Sequence, residues 1–111
     1  MTVSFKGIGQ TAATFTVSGT LASGDVVAMS GNGQVKKVDA GDDIAGVCQS
    51  VRHGLATVIV AGHAQMTASG SVTVGIASLE ADTGGKVKAA AEGGRQVLVV
   101  AAQNNILDVI L

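Results

Sequence analysis

The 111 residues hold few side chains able to do chemistry. His53 and His63 are the two histidines, and they flank the apolar run Leu55-Ala56-Thr57-Val58-Ile59-Val60. An extended strand between them would hold the imidazoles about 30 Å apart, too far to ligate one metal ion. Both therefore read as structural or solvated. Nothing resembles a nucleophile elbow or a histidine-bearing catalytic motif, so no Ser-His-Asp triad can be assembled from this sequence. Cys48 is the single cysteine and sits in the apolar run Ile44-Ala45-Gly46-Val47-Cys48. It reads as a buried, inert thiol, and no intrachain disulfide can form.

Asp39, Asp42 and Asp43 crowd one loop with Gly41. A calcium loop of the EF-hand type needs carboxylates at alternating positions and a closing bidentate Glu. Neither is present, and a solvated turn is expected. Gly7-Ile8-Gly9 and Gly31-Asn32-Gly33 lack the third glycine and the following helix that a dinucleotide site requires. The stretch Val35-Lys36-Lys37-Val38-Asp39-Ala40-Gly41-Asp42 resembles the lysine turn of biotinyl and lipoyl carrier domains. Those domains expose their lysine at a hairpin tip, whereas Lys36 and Lys37 follow the glycine turn and fall within an expected strand.

The elements that would carry these residues are strands. No useful length of chain has the three-to-four-residue apolar period of a helix. Thr14-Phe15-Thr16-Val17, Leu55 to Val60, Val97 to Val100 and Ile106 to Leu111 are β-forming runs bounded by glycine or asparagine. Short strands, or else a single helical turn, are expected between Ala64 and Ile76, and a hairpin through Gln103-Asn104-Asn105 at the C-terminal end. One phrase occurs twice. The segment Asp25 to Lys36, with its turn Gly31-Asn32-Gly33, returns as Ala77 to Lys88 with the turn Thr83-Gly84-Gly85. Each copy reaches a second turn, Gly41-Asp42-Asp43 or Gly93-Gly94-Arg95, and then a further apolar run. Two similar hairpin units are predicted, with 16 Gly and no Pro supplying the bends.

Composition narrows function further. The net charge is -1 and charged residues make up 14%, against roughly 25% in ordinary soluble domains. Mean hydropathy is +0.47, which favours a surface partly covered by partners. Nucleic-acid binding lacks both clustered basic residues and stacking aromatics. No run of about eighteen apolar residues exists to span a membrane as a helix, and the start of the chain lacks the plan of a signal peptide. Synthesis in a cytoplasm is expected. The two aromatics, Phe5 and Phe15, both lie in the first fifteen residues, where Lys6 is the sole charge. They would supply core bulk in a strand, or anchor an interface as part of an arm.

Several segments carry a family resemblance: Gly24-Asp25-Val26-Val27, Ile44-Ala45-Gly46-Val47, Val60-Ala61-Gly62-His63-Ala64 and Val74-Gly75-Ile76-Ala77-Ser78-Leu79-Glu80-Ala81-Asp82. With Gly85 to Ala90, Val97 to Val100 and the strand ending at Leu111, they resemble the small all-β head decoration, or capsid cement, proteins of tailed bacteriophages. The likeness covers roughly residues 18 to 111. It implies a structural protein that binds the outside of an expanded phage capsid and stabilises contacts between major capsid subunits, as a homo-oligomer with a trimer favoured over a dimer.

The expected fold is all-β: a small glycine-rich β-sandwich or β-barrel-like domain of two hairpin units. Residues 1–17 form an N-terminal strand or arm, and 18–111 the β domain. Phe5, Lys6 and Phe15 are the candidate capsid or intersubunit contacts. No enzyme activity, cofactor, metal, nucleic acid or membrane is expected. The alternatives are a glycan- or receptor-binding virion module, which lacks the usual aromatic sugar platforms, and a carrier domain.

Overall fold

The computed structural model describes residues 11–90 and 93–111. Ten strands follow one another: β1 (Thr11–Val17), β2 (Val26–Gly31), β3 (Gln34–Lys37), β4 (Gly46–Arg52), β5 (Leu55–Ala61), β6 (His63–Thr67), β7 (Gly75–Asp82), β8 (Lys86–Ala89), β9 (Arg95–Gln103) and β10 (Ile106–Ile110). The fold is all-β, as the β-forming runs and glycine turns predicted. The first five strands close into a barrel of order β1-β3-β2-β4-β5, and the last five form an open sheet of order β6-β10-β9-β7-β8. Read from the other edge, β8-β7-β9-β10-β6 is the barrel order β3-β2-β4-β5-β1 shifted by five strands. The duplication legible as hairpins β2–β3 and β7–β8 therefore extends over two whole five-stranded repeats.

Details of the chain agree with this. The β4–β5 and β9–β10 hairpins both turn on two successive residues of positive φ, His53 (52°) with Gly54 (75°), and Asn104 (54°) with Asn105 (63°). That is the primed geometry which matches strand twist in a two-residue hairpin. A bulge interrupts each of these pairs, leaving Gln49 unpaired on β4 and Val100 on β9. The seam between first and third strands is parallel in both repeats. In the barrel, Thr16 pairs with Gln34 and Val17 with Val35, and the Ser18 N–H donates to the Val35 carbonyl at 2.9 Å. In the second repeat a single bridge, Ala68 with Val87, holds the seam, and Ser69 N–H donates to the Val87 carbonyl at 2.9 Å.

Two cores result. Leu21, Val27, Val35, Cys48, Ala56 and Val58 fill the barrel. The larger core lies between the repeats, where Val26, Ala28, Val38, Val47 and Ile59 from the barrel's outer wall meet Ala64, Met66, Leu79, Val87, Val99, Leu107 and Val109 of the second sheet. The second sheet packs its inner face on the barrel wall, which stands where a closed second barrel would have its own interior. Gly46 lets this wall pack tightly, because a Cβ there would stand 2.3 Å from the Ile59 carbonyl oxygen. Polar ties cross the same boundary. Val26 N–H donates to Gly85 at 3.0 Å, and Arg95 Nη1 reaches the Ile44 carbonyl at 3.2 Å.

Candidate functional site

The residues that looked most chemical occupy turns and strand ends. Lys36 and Lys37 lie in β3, where they pair with Asp42 at 3.3 Å and Asp25 at 3.6 Å. Asp42 also accepts a hydrogen bond from the Asp39 N–H at 2.8 Å. That bond, followed by the Lys36 ammonium, holds the Asp42 carboxyl below its ordinary range. The Asp42 carboxylate thus organises the turn. Cys48 is buried in the barrel, and burial, with Asp25 nearby, pushes its thiol up, away from the reactive thiolate. Among the described residues no group of three or more His, Cys, Asp or Glu side chains could hold a metal ion.

The histidines are separated as the sequence required. His53 sits at the β4–β5 turn, while His63 begins β6 and is buried. His63 Nε2 lies 3.0 Å from Asp108 Oδ1 across the β6–β10 pair, and Gln65 Nε2 donates to the same oxygen at 3.5 Å. An open groove of about 500 Å³ runs between the repeats, bordered by Asp42, Asp43, Ile44, Glu80 and Arg95. Three of its charges are engaged: Glu80 with Lys88 at 3.6 Å, Asp42 with Lys36, and Arg95 with backbone carbonyls.

Of the three expected contact residues, Phe5 and Lys6 lie outside the described residues. Phe15 is in β1 opposite Ala56, half-buried against the barrel core. Residues 11–17 are thus a wall of the barrel, and any arm can begin only before them.

The sequence reading did not single out the outer face of the second sheet. Ile76 pairs with Leu98, Leu98 with Ile110, and Ile110 with His63, so one cross-strand row spans β7, β9, β10 and β6. Ile76 is 68% exposed, Leu98 41%, and Val74, just before β7, 63%. The next rungs are polar, Ser78 opposite Gln96, then charged, Glu80 opposite Lys88. The signal was present in β7. Leu79 and Ala81 set the inward phase, which puts Ile76 on the outward one. The exposed members of this row offer no nucleophile or acid; they offer apolar area to a partner.

No family model matches the chain, and no curated protein does either.

Proposed function

We propose that the protein is a structural virion component that binds the outer surface of an expanded bacteriophage capsid and stabilises contacts between major capsid subunits. The exposed cross-strand pair Ile76 and Leu98, with Val74 exposed just before β7, is the observation that carries this reading. A binder of protein surfaces needs such apolar area, with charge kept to its rim. The low overall charge and the resemblance over residues 18 to 111 support the same conclusion. The protein acts as a homo-oligomer, trimeric rather than dimeric, so that several modest contacts add to durable attachment. In this reading it is made in the host cytoplasm and resides on the outer capsid surface.

Co-sedimentation with expanded capsids lacking the protein tests it. Saturable binding and greater heat resistance of the capsid are expected, and absence of binding overturns the proposal. Replacing Ile76 with Asp removes about 1.5–3 kcal/mol of apolar burial, so affinity should fall about tenfold or more. Deleting residues 1–10 examines Phe5 and Lys6 while leaving β1 in the barrel. A longer deletion through residue 17 would remove the strand that closes the barrel, and would confuse lost contact with lost fold.

A further inference from the structure

We propose that Asn32 is a site of spontaneous deamidation, and that its conversion to isoaspartate unfastens the seam closing the barrel. The chain has asparagines at 32, 104 and 105, and only Asn32 precedes a glycine. It is exposed at the tip of the β2–β3 hairpin. Gly33 has φ +67°, and nothing approaches within 4 Å of where a Cβ would be. Its N–H donates to no acceptor among the described residues. The nitrogen that must attack is therefore unhindered and unengaged, with no side chain to obstruct ring closure. Asn104 and Asn105 are followed by Asn105 and Ile106, whose side chains crowd the same step.

The reaction balances without any cofactor. The Gly33 nitrogen attacks Asn32 Cγ, a nitrogen–carbon bond forms, and the Cγ–Nδ2 bond breaks. The Gly33 proton leaves with the amide as ammonia, and a succinimide remains. Water opens the ring at either carbonyl, giving aspartate or isoaspartate. In isoaspartate the main chain runs through the former side chain, one methylene longer, and carries a new negative charge.

That methylene falls where the barrel is fastened. The Gly33 carbonyl accepts from the Thr16 N–H at 2.9 Å and from the Thr16 hydroxyl at 3.1 Å. The β1–β3 pairing comprises Thr16 with Gln34 and Val17 with Val35, so displacement of Gly33 removes one end of a very short seam. The second repeat has no such weak point, because its corresponding turn is Thr83-Gly84-Gly85. The inference does not depend on what the protein binds.

The full-length protein is held for several weeks in mildly alkaline buffer, then analysed by peptide mass spectrometry, by enzymatic isoaspartyl methylation and by amide hydrogen exchange. The amide-to-acid mass gain should be confined to the peptide containing Asn32. In the isoaspartate fraction, exchange at Thr16 should rise about tenfold, the equivalent of one lost hydrogen bond, while Ser69 is unchanged. Asn32→Ser should suppress both effects. The proposal is overturned if the folded protein does not convert while a urea-unfolded sample does. It is equally overturned if conversion leaves Thr16 exchange as it was.

Discussion

Val26-Val27-Ala28 in β2 and Ser78-Leu79-Glu80 in β7 occupy the same place in the two repeats, yet only the central residues play the same part. Val27 and Leu79 both point inward and are fully buried. Val26 and Ala28 are also buried, at 0% and 4% exposure, because the second sheet covers the barrel's outer wall. Ser78 and Glu80 face outward with no sheet over them. A strand covered on both faces reads as a continuous apolar run, while one covered on a single face alternates. The repeats thus share a topology and differ in what covers them. The first closes around its own side chains, and the second stays open around the first. Part of the second's own outer wall is left uncovered, and it is there that Ile76 and Leu98 lie exposed.

The most severe way to break this relation is to empty the shared core. Leu79→Ala should cost about 3 kcal/mol, since the cavity opens where barrel wall and sheet interlock and neither side can collapse freely. Urea unfolding followed by circular dichroism would measure it, and both repeats should unfold in one transition. Two separated transitions would mean that the second sheet is not built around the first.

An exchange between equivalent positions sharpens the comparison. Val26→Ser gives the first repeat the residue of the second. It should cost about 2–3 kcal/mol by removing buried methyls and burying a hydroxyl without an assured partner. Ser78→Val makes the reverse change on an open face and should alter stability by no more than about 0.5 kcal/mol. Equal effects in the two urea midpoints would contradict the asymmetry.

Much of this was legible in the sequence. Glycine and asparagine turns marked the hairpins, and the repeated segment around Gly31-Asn32-Gly33 and Thr83-Gly84-Gly85 marked the duplication. Its full extent was hidden because the first strands diverged: Thr11–Val17 and His63–Thr67 share almost no residues, and pair in their repeats through backbone groups that any side chain permits. The nesting of one repeat in the other was hidden too, since it depends on which apolar surfaces meet across long sequence separations. Its trace was the unbroken run Val26-Val27-Ala28. The outward row was the least visible, because Ile76 and Leu98 are ordinary strand residues until the register of β7 against β9 sets them side by side.

The mildest test compares two carboxyls. Asp82 accepts a hydrogen bond from the Ser69 hydroxyl, and that bond, then the Thr83 N–H, holds its carboxyl below the ordinary value of 3.8. Asp42 is lowered from the same value by the Asp39 N–H and Lys36. In each case the unfolded chain binds the proton more readily than the folded one. The stability gained is therefore complete above about pH 4 and disappears as pH falls through the lowered folded values. Asp42→Asn and Asp82→Asn should each fall slightly below the parent in neutral buffer and converge with it in acid, as read from thermal midpoints across a pH series. Their local effects should differ. Ser69 is also the residue whose N–H holds the single-bridge seam to Val87, whereas the barrel seam is closed by two paired positions and has Ser30 where the second repeat has Asp82. Asp82→Asn should therefore speed amide exchange at Ser69, and Asp42→Asn should leave Ser18 and Ser69 alike. Faster exchange at Ser69 in both variants would mean that the open seam depends on overall stability, and not on the carboxylate that pins it.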